Sequence, residues 1–149
     1  SKGATTPETY LGAARAQGWI NSPSGRLTAG EHDFGAAPGP IPVNSFAYAG
    51  NWNIEPESAT AGDGAEIDLQ FNARRVFLVL GSPDQPRSVQ VLLDGKPIPP
   101  RFAGDDVRGG RAGVEAQTLY SLVDLPAVGS HRLSLILDPG ISGYAFTFG

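Results

Sequence analysis

Few residues in this chain have the types and spacing that could do covalent chemistry. The 149 residues include two histidines and no cysteine. A hydroxyl nucleophile needs an adjacent base held by a third group. His32 lies between Glu31 and Asp33 in an irregular stretch, and His131 follows Gly129-Ser130 at the start of an expected strand. Neither has a nucleophile-elbow context, so both read as loop and turn histidines. Glu55 with Glu57, and Asp105 with Asp106, are the candidate carboxylate pairs. Acid/base or glycosidase work needs two carboxyls held apart across a cleft, one with a raised pKa. Adjacent acids in Gly-rich loops are instead solvated. Calcium asks for about six to eight oxygens. The stretch Asp63 to Asp68, Asp105 and Asp138 supplies some of these, so a structural calcium is possible but not favoured. No catalytic residue, metal ligand or other cofactor is expected, and the chain reads as a non-enzyme.

Binding is the sharper expectation. A sugar stacks its apolar face on an aromatic ring while polar neighbours take its hydroxyls, which suits amphipathic aromatics. The aromatic candidates are Trp19, Tyr48, Trp52, Phe102, Tyr120 and Tyr144. Tyr144 alternates with Phe146 and Phe148, which favours the core. Trp52 opens a strand after Gly50-Asn51, a place where tryptophans plug sandwich cores. Trp19 and Tyr48 lie in irregular surroundings that leave core and ligand roles both open. Arg101, Arg108 and Arg111 flank one loop with Asp105 and Asp106. That loop suits an anionic glycan or a protein partner, or is a solvated loop whose ion pairs are worth little. The candidate ligand-binding set is therefore Trp19, Tyr48, Asn51, Trp52, Arg101, Asp105 and Arg111.

The elements that must position these residues read as strands. Gly and Pro number 20 and 13, which favours many turns and an all-β architecture. Ile67, Leu69 and Phe71 alternate with Glu66, Asp68 and Gln70 as a half-exposed strand. Asn72 to Arg75 reads as a turn, and Val76 to Leu80 as a strand covered on both faces. Val89, Val91 and Leu93 share a face, and Asp94-Gly95 is a hairpin signal. Leu133, Leu135 and Leu137 share another. The count is seven to nine strands with no long helix and no internal repeat, an antiparallel β-sandwich. Residues 1–43 form a linker and irregular segment packing on the sandwich, and 44–149 its core, one domain overall. Within the first segment, Ser1 to Thr5 reads as a disordered lead-in. Thr6-Pro7-Glu8 reads as a helix start, and Ala13 to Gln17 as a weak second turn of helix. Asn21 to Asn44 is a long loop, wrapped over the sandwich or poorly ordered.

The net charge of −4 argues against nucleic-acid binding. No apolar run approaches the roughly 18 residues of a membrane span, and no secretory signal is recognisable. An export signal, if there is one, is expected elsewhere in a longer precursor.

Six stretches carry a family resemblance over nearly the whole chain. They are TPETYLG, the NWxxxxESA pattern from Asn51, NARRVFLVL, VxVxLDGKP, LYxLV and DPGISGYAFTFG. Together they resemble the C-terminal domain of DipZ-type proteins, bacterial envelope proteins related to thiol–disulfide and cytochrome c biogenesis systems. The resemblance implies a jelly-roll domain similar to carbohydrate-binding modules, following a thioredoxin-like domain and a membrane part. TPETYLG then resembles the join between the two extracytoplasmic domains. Leu122 to Leu135 further resembles the galactose-binding-like jelly rolls. The implied role is a non-catalytic, extracytoplasmic binding domain in the periplasm or cell envelope. Its partner is expected to be a cell-envelope carbohydrate or the adjacent thioredoxin-like domain.

Overall fold

The structure, a computed structural model, describes residues 5–149. Of the expected lead-in over Ser1–Thr5, residues Ser1–Ala4 lie outside the described residues. Twelve strands form: β1 Thr9–Tyr10, β2 Gly30–Asp33, β3 Ser45–Ala49, β4 Asn51–Ile54, β5 Ala59–Ala61, β6 Glu66–Gly81, β7 Arg87–Leu93, β8 Lys96–Pro97, β9 Val107–Arg108, β10 Arg111–Val114, β11 Thr118–Leu137 and β12 Ser142–Phe148. A 3-10 turn spans Pro100–Phe102, and no α-helix occurs among the described residues. The strand count exceeds the expected one because several strands have only two to four residues.

All pairings between these strands are antiparallel, in the order β2-β4-β5-β12-β6-β11-β7-β10-β9, with β1 on β12, β3 on β6 and β8 on β7. The two central strands explain how one sheet becomes a jelly-roll sandwich. β11 has 20 residues, about 66 Å if straight at about 3.3 Å each. A domain of this size has a radius of gyration of only about 15 Å, so the strand must bend. It does so where its register with β6 breaks. Between the pairs Ala73↔Gly129 and Arg75↔Asp124, one residue of β6 (Arg74) faces four of β11 (Leu125 to Val128). Pro126 sits in that bulge, where no ladder amide is required. The sequence expectation placed a turn at Asn72–Arg75 and split both strands; each instead runs unbroken from one layer to the other.

The first layer holds β3, the first half of β6, the second half of β11, β7, β10 and β9. The second holds the other halves of β6 and β11 with β12, β5, β4 and β2. Their facing side chains form one core that includes Phe46, Tyr48, Trp52, Leu69, Phe71, Leu78, Leu122, Leu135 and Phe146. Val89, Val91 and Leu93 point inward as expected, and so do Leu133, Leu135 and Leu137. Over Val76–Leu80, Val76, Leu78 and Leu80 are buried but Phe77 and Val79 only half-buried, so this segment is covered fully on one face, not both. The Asp94-Gly95 turn has φ of 52° and 83°, the two positive values a type I′ hairpin requires.

The N-terminal segment is not helical. Thr6 does not cap a helix; its hydroxyl accepts from the Asn72 amide (2.7 Å) and donates to Asn44 Oδ1 (2.6 Å). Thr9 and Tyr10 then pair with Phe146 and Ala145, because a free strand edge is a stronger partner than an isolated first turn. Ala13 to Arg15 form a turn, not a second helix. The stretch from Asn21 to Asn44 wraps the sandwich. Its β2 pairs with β4, and Leu27 and Ile41 are buried. Arg132 ties it down through the carbonyls of Gly39 (2.5 Å) and Pro38 (2.8 Å).

Candidate functional site

The sequence-predicted binding residues do not converge. Tyr48 (0% exposed), Trp52 (1%) and Trp19 (7%) lie in the core. Tyr48 is on the inward parity of β3, opposite Ile67, and its ring packs on Trp52 at 4.8 Å and Phe34 at 5.2 Å. Burial drives the Tyr48 phenol well above its usual pKa, so it remains a donor, to the Leu11 carbonyl at 2.7 Å. Trp52 spends its indole N–H on Ala49 O (2.9 Å). Trp19 bridges to Phe46, and its N–H has no acceptor among the described residues. None of these rings offers a face to a sugar, which corrects the expectation for all three.

Asn51 is exposed at a different place. It lines a shallow groove of about 430 Å³ with Glu31, His32, Asp33, Asn53 and Thr60. That groove is polar but has no open aromatic platform, because Trp52 reaches it from within the core. Arg101, Asp105 and Arg111 are exposed around the 3-10 turn. Asp105 and Arg108 line a cavity of about 590 Å³, while Arg101 lies 4.5 Å over the Phe102 ring. No ion pair joins these loop charges among the described residues. Tyr120 is buried, with its hydroxyl on Ala116 O.

The two histidines have their own local partners. His131 pairs through Nδ1 with Asp94 (2.6 Å), a contact the sequence did not suggest. No serine or threonine hydroxyl meets its other nitrogen among the described residues. His32 Nε2 sits on Thr28 O at 2.9 Å. No cluster of three or more metal-ligating acids or histidines forms among the described residues. Asp138 caps the Ser88 amide instead (2.8 Å).

The arrangement best suited to a ligand lies where β1 meets β12. β12 carries an extra residue between the pairs Gly143↔Leu80 and Phe146↔Leu78, and such a bulge re-aims a side chain. It turns Tyr144 out of the core row that alternation with Phe146 predicted. Tyr10 stands beside it, paired to Ala145. The two half-buried tyrosines line a groove of about 310 Å³ with Arg15, Glu57, Gln117 and Gly12. Arg15 sits 3.8 Å over the Tyr10 ring and donates to its hydroxyl (2.6 Å), which in turn donates to Glu8 (2.6 Å). That bond to Glu8 raises the Tyr10 pKa. Glu57, Gln117 and the Tyr144 hydroxyl have no hydrogen-bond partner among the described residues. Gly12 is required by close approach, since a Cβ there would lie 2.4 Å from Pro56 O. Tyr10, Arg15, Glu57 and Gln117 were absent from the sequence-predicted set. The Thr-Tyr pair, two strand-forming residues, was the available signal, hidden by the helix-start reading.

These features define an all-β jelly-roll sandwich with shallow, mixed aromatic and polar surface grooves. The same fold occurs in a family two carbohydrate esterase from Clostridium thermocellum, solved in complex with cellohexaose. The match has a TM-score of 0.56 and 22% identity, over 70% of this chain and 31% of that one. A family two carbohydrate esterase from Cellvibrio japonicus matches with a TM-score of 0.54 and 17% identity, over 69% of this chain and 30% of that one. Among curated proteins, Protein DipZ of Mycobacterium bovis and of Mycobacterium tuberculosis are each 29% identical over 153 aligned residues. The alignment spans 99% of this chain but 19% of those proteins. A family model described as "Thioredoxin like C-terminal domain" matches residues 6–149, and the chain belongs to that family. The 149 residues themselves contain no cysteine, so thiol–disulfide chemistry cannot be carried by this chain. No helix among the described residues is long and apolar enough to cross a membrane.

Proposed function

We propose that this domain is a non-catalytic, extracytoplasmic binding module that takes carbohydrate of the bacterial cell envelope in the Tyr10–Tyr144 groove. One observation carries the reading: two half-buried tyrosines line one groove together with an amide, a carboxylate and a guanidinium. This is the pairing of apolar platform and polar rim that a sugar's two faces need. Tyr144 offers the freer ring, because Arg15 covers part of Tyr10. Family membership and similarity to DipZ support placing the module beside a thioredoxin-like thiol–disulfide domain. Tethering to glycan would then raise the effective concentration of that neighbour at the envelope.

The test is calorimetric titration of the 149-residue chain with cell-wall glycans and simple hexoses. Saturable binding is expected, weakened at least about tenfold (1.4 kcal/mol) by Tyr144→Ala with the fold intact. No binding across the panel, or binding indifferent to Tyr144, overturns the reading.

A second reading has its own observation. The outward parity of the second layer aligns Phe77, Val79, Thr147 and Leu119, and Leu119 is 47% exposed. An apolar strip of this kind suits protein docking, with the thioredoxin-like domain as partner. Titration against that domain, with Leu119→Asp as the blocking variant, separates the two.

A further inference from the structure

Asp68 is a buried acid that the groove does not use. It is 1% exposed, although it points to the outer side of β6. Arg132 joins it to the carbonyls of Pro38 and Gly39, and Ala47 and Ala49 of the neighbouring strand β3 are buried too. Asp68 Oδ1 accepts from Ser134 Oγ and from Arg132 Nε (3.4 Å). Its Oδ2 has no fixed hydrogen-bond partner among the described residues. A buried carboxylate oxygen without a donor is strongly disfavoured. Glu66 stands two residues earlier on the same strand, hence on the same face. A proton on Glu66 would supply the missing donor. A metal ion is a poor alternative there, since the Arg132 guanidinium already occupies the cationic place.

Arg132 connects this pair to the loop. Its Nε faces Asp68, and its Nη1 and Nη2 donate to Gly39 O and Pro38 O. The other neighbours on this face are Ala47 and Ala49 of β3, Ser134 and Ile136 of β11, and Gln90 and Leu92 of β7. None of them ionises. The next charges are Asp94, which accepts from the Arg132 backbone amide, and His131 paired to Asp94.

We propose that Glu66 and Asp68 share a single proton and that this proton latches the Pro38–Gly39 loop onto the sheet. With the proton in place, the pair carries one negative charge, which Arg132 balances while holding both loop carbonyls. When the proton leaves, the two carboxylates draw the guanidinium toward themselves and the loop is released. Burial of Glu66, then its bond to Asp68, push its pKa up to about 7. The folded state therefore holds more protons than the unfolded chain between the ordinary carboxyl range and about 7. Stability falls with rising pH across that window and levels off above it.

Carbon-13 NMR of the side-chain carboxyls, with amide shifts, followed across pH on the 149-residue chain is the test. The Glu66 carboxyl is expected to titrate near 7, with the Gly39 amide moving at the same midpoint. In Glu66→Gln the shared step disappears and the loop stays held. A Glu66 midpoint in the ordinary glutamate range overturns the proposal, and so does a Gly39 amide that does not follow Glu66. The wild-type titration decides the matter even if the variant fails to fold.

Discussion

Tyr48 and Tyr144 are joined through a single residue. The Tyr48 hydroxyl donates to Leu11 O, and the Leu11 amide donates to Tyr144 O (2.9 Å). Tyr48 is nonetheless fully buried, whereas Tyr144 lines an open groove. Their residue type is the same and their neighbourhood is shared. What differs is strand parity: Tyr48 lies on the inward row of a regular strand, and Tyr144 sits in a bulge that breaks the alternation of β12. An aromatic's role in this fold follows from its place in the pleat. The buried aromatics hold the layers together, and the displaced ones line a surface groove.

The largest test of that division is Trp52→Ala. Trp52 is fully buried against Tyr48, and truncating a buried tryptophan costs about 3–5 kcal/mol. Urea unfolding should show most of the domain's stability gone. Any ligand affinity should vanish with the fold, not separately from it. A folded variant of near-native stability that had lost only ligand binding would return Trp52 to the binding set and break the comparison.

The same division explains what was legible in the sequence. Ile67-Leu69-Phe71, Val89-Val91-Leu93 and the Asp94-Gly95 turn obey period two or a turn code, and the structure follows them. The sandwich class is legible from these local patterns. The long bent strands were not. Asn72–Arg75 has the composition of a turn, but the pairing that keeps it extended comes from Asp124 and Gly129, about fifty residues away. The groove was hidden for a related reason. Alternation assigns Tyr144 to the core, and only the β12 bulge, set by pairing with β6, turns it out. Tyr10 was hidden because Thr-Pro-Glu is a good helix start where no strand edge competes. Strands β12 and β6 supply the competing partners, through Phe146, Ala145 and Asn72.

Gly12→Ala probes the boundary between the two regions. The added methyl would fall 2.4 Å from Pro56 O and 2.6 Å from Glu57 Cα, both backbone atoms, so the 56–57 turn must move. Overpacking of this kind costs about 1–3 kcal/mol. Because Glu57 lines the groove and Leu11 is the next residue, the variant should lose stability and shift the resonances of Tyr144 and Glu57 together. A stability loss with an unchanged groove would mean that core and groove are mechanically separate.

The smallest effect, and the sharpest, comes from removing one oxygen at a time. Tyr48→Phe deletes a buried donor and leaves the Leu11 carbonyl unmatched, at a cost of about 1 kcal/mol. Tyr10→Phe deletes a hydroxyl whose partners, Glu8 and Arg15, are solvent-exposed, and both groups simply turn to water. The midpoint of urea unfolding should fall in the first variant and stay where it is in the second. For ligand binding the order should reverse, since Tyr10 lines the groove and Tyr48 does not. Equal stability losses would show that the Tyr10–Glu8–Arg15 relay fastens the N-terminal segment to the sandwich. The groove would then rest on Tyr144 alone, and the separation of structural from contact tyrosines would hold for one pair of residues and not for the surface as a whole.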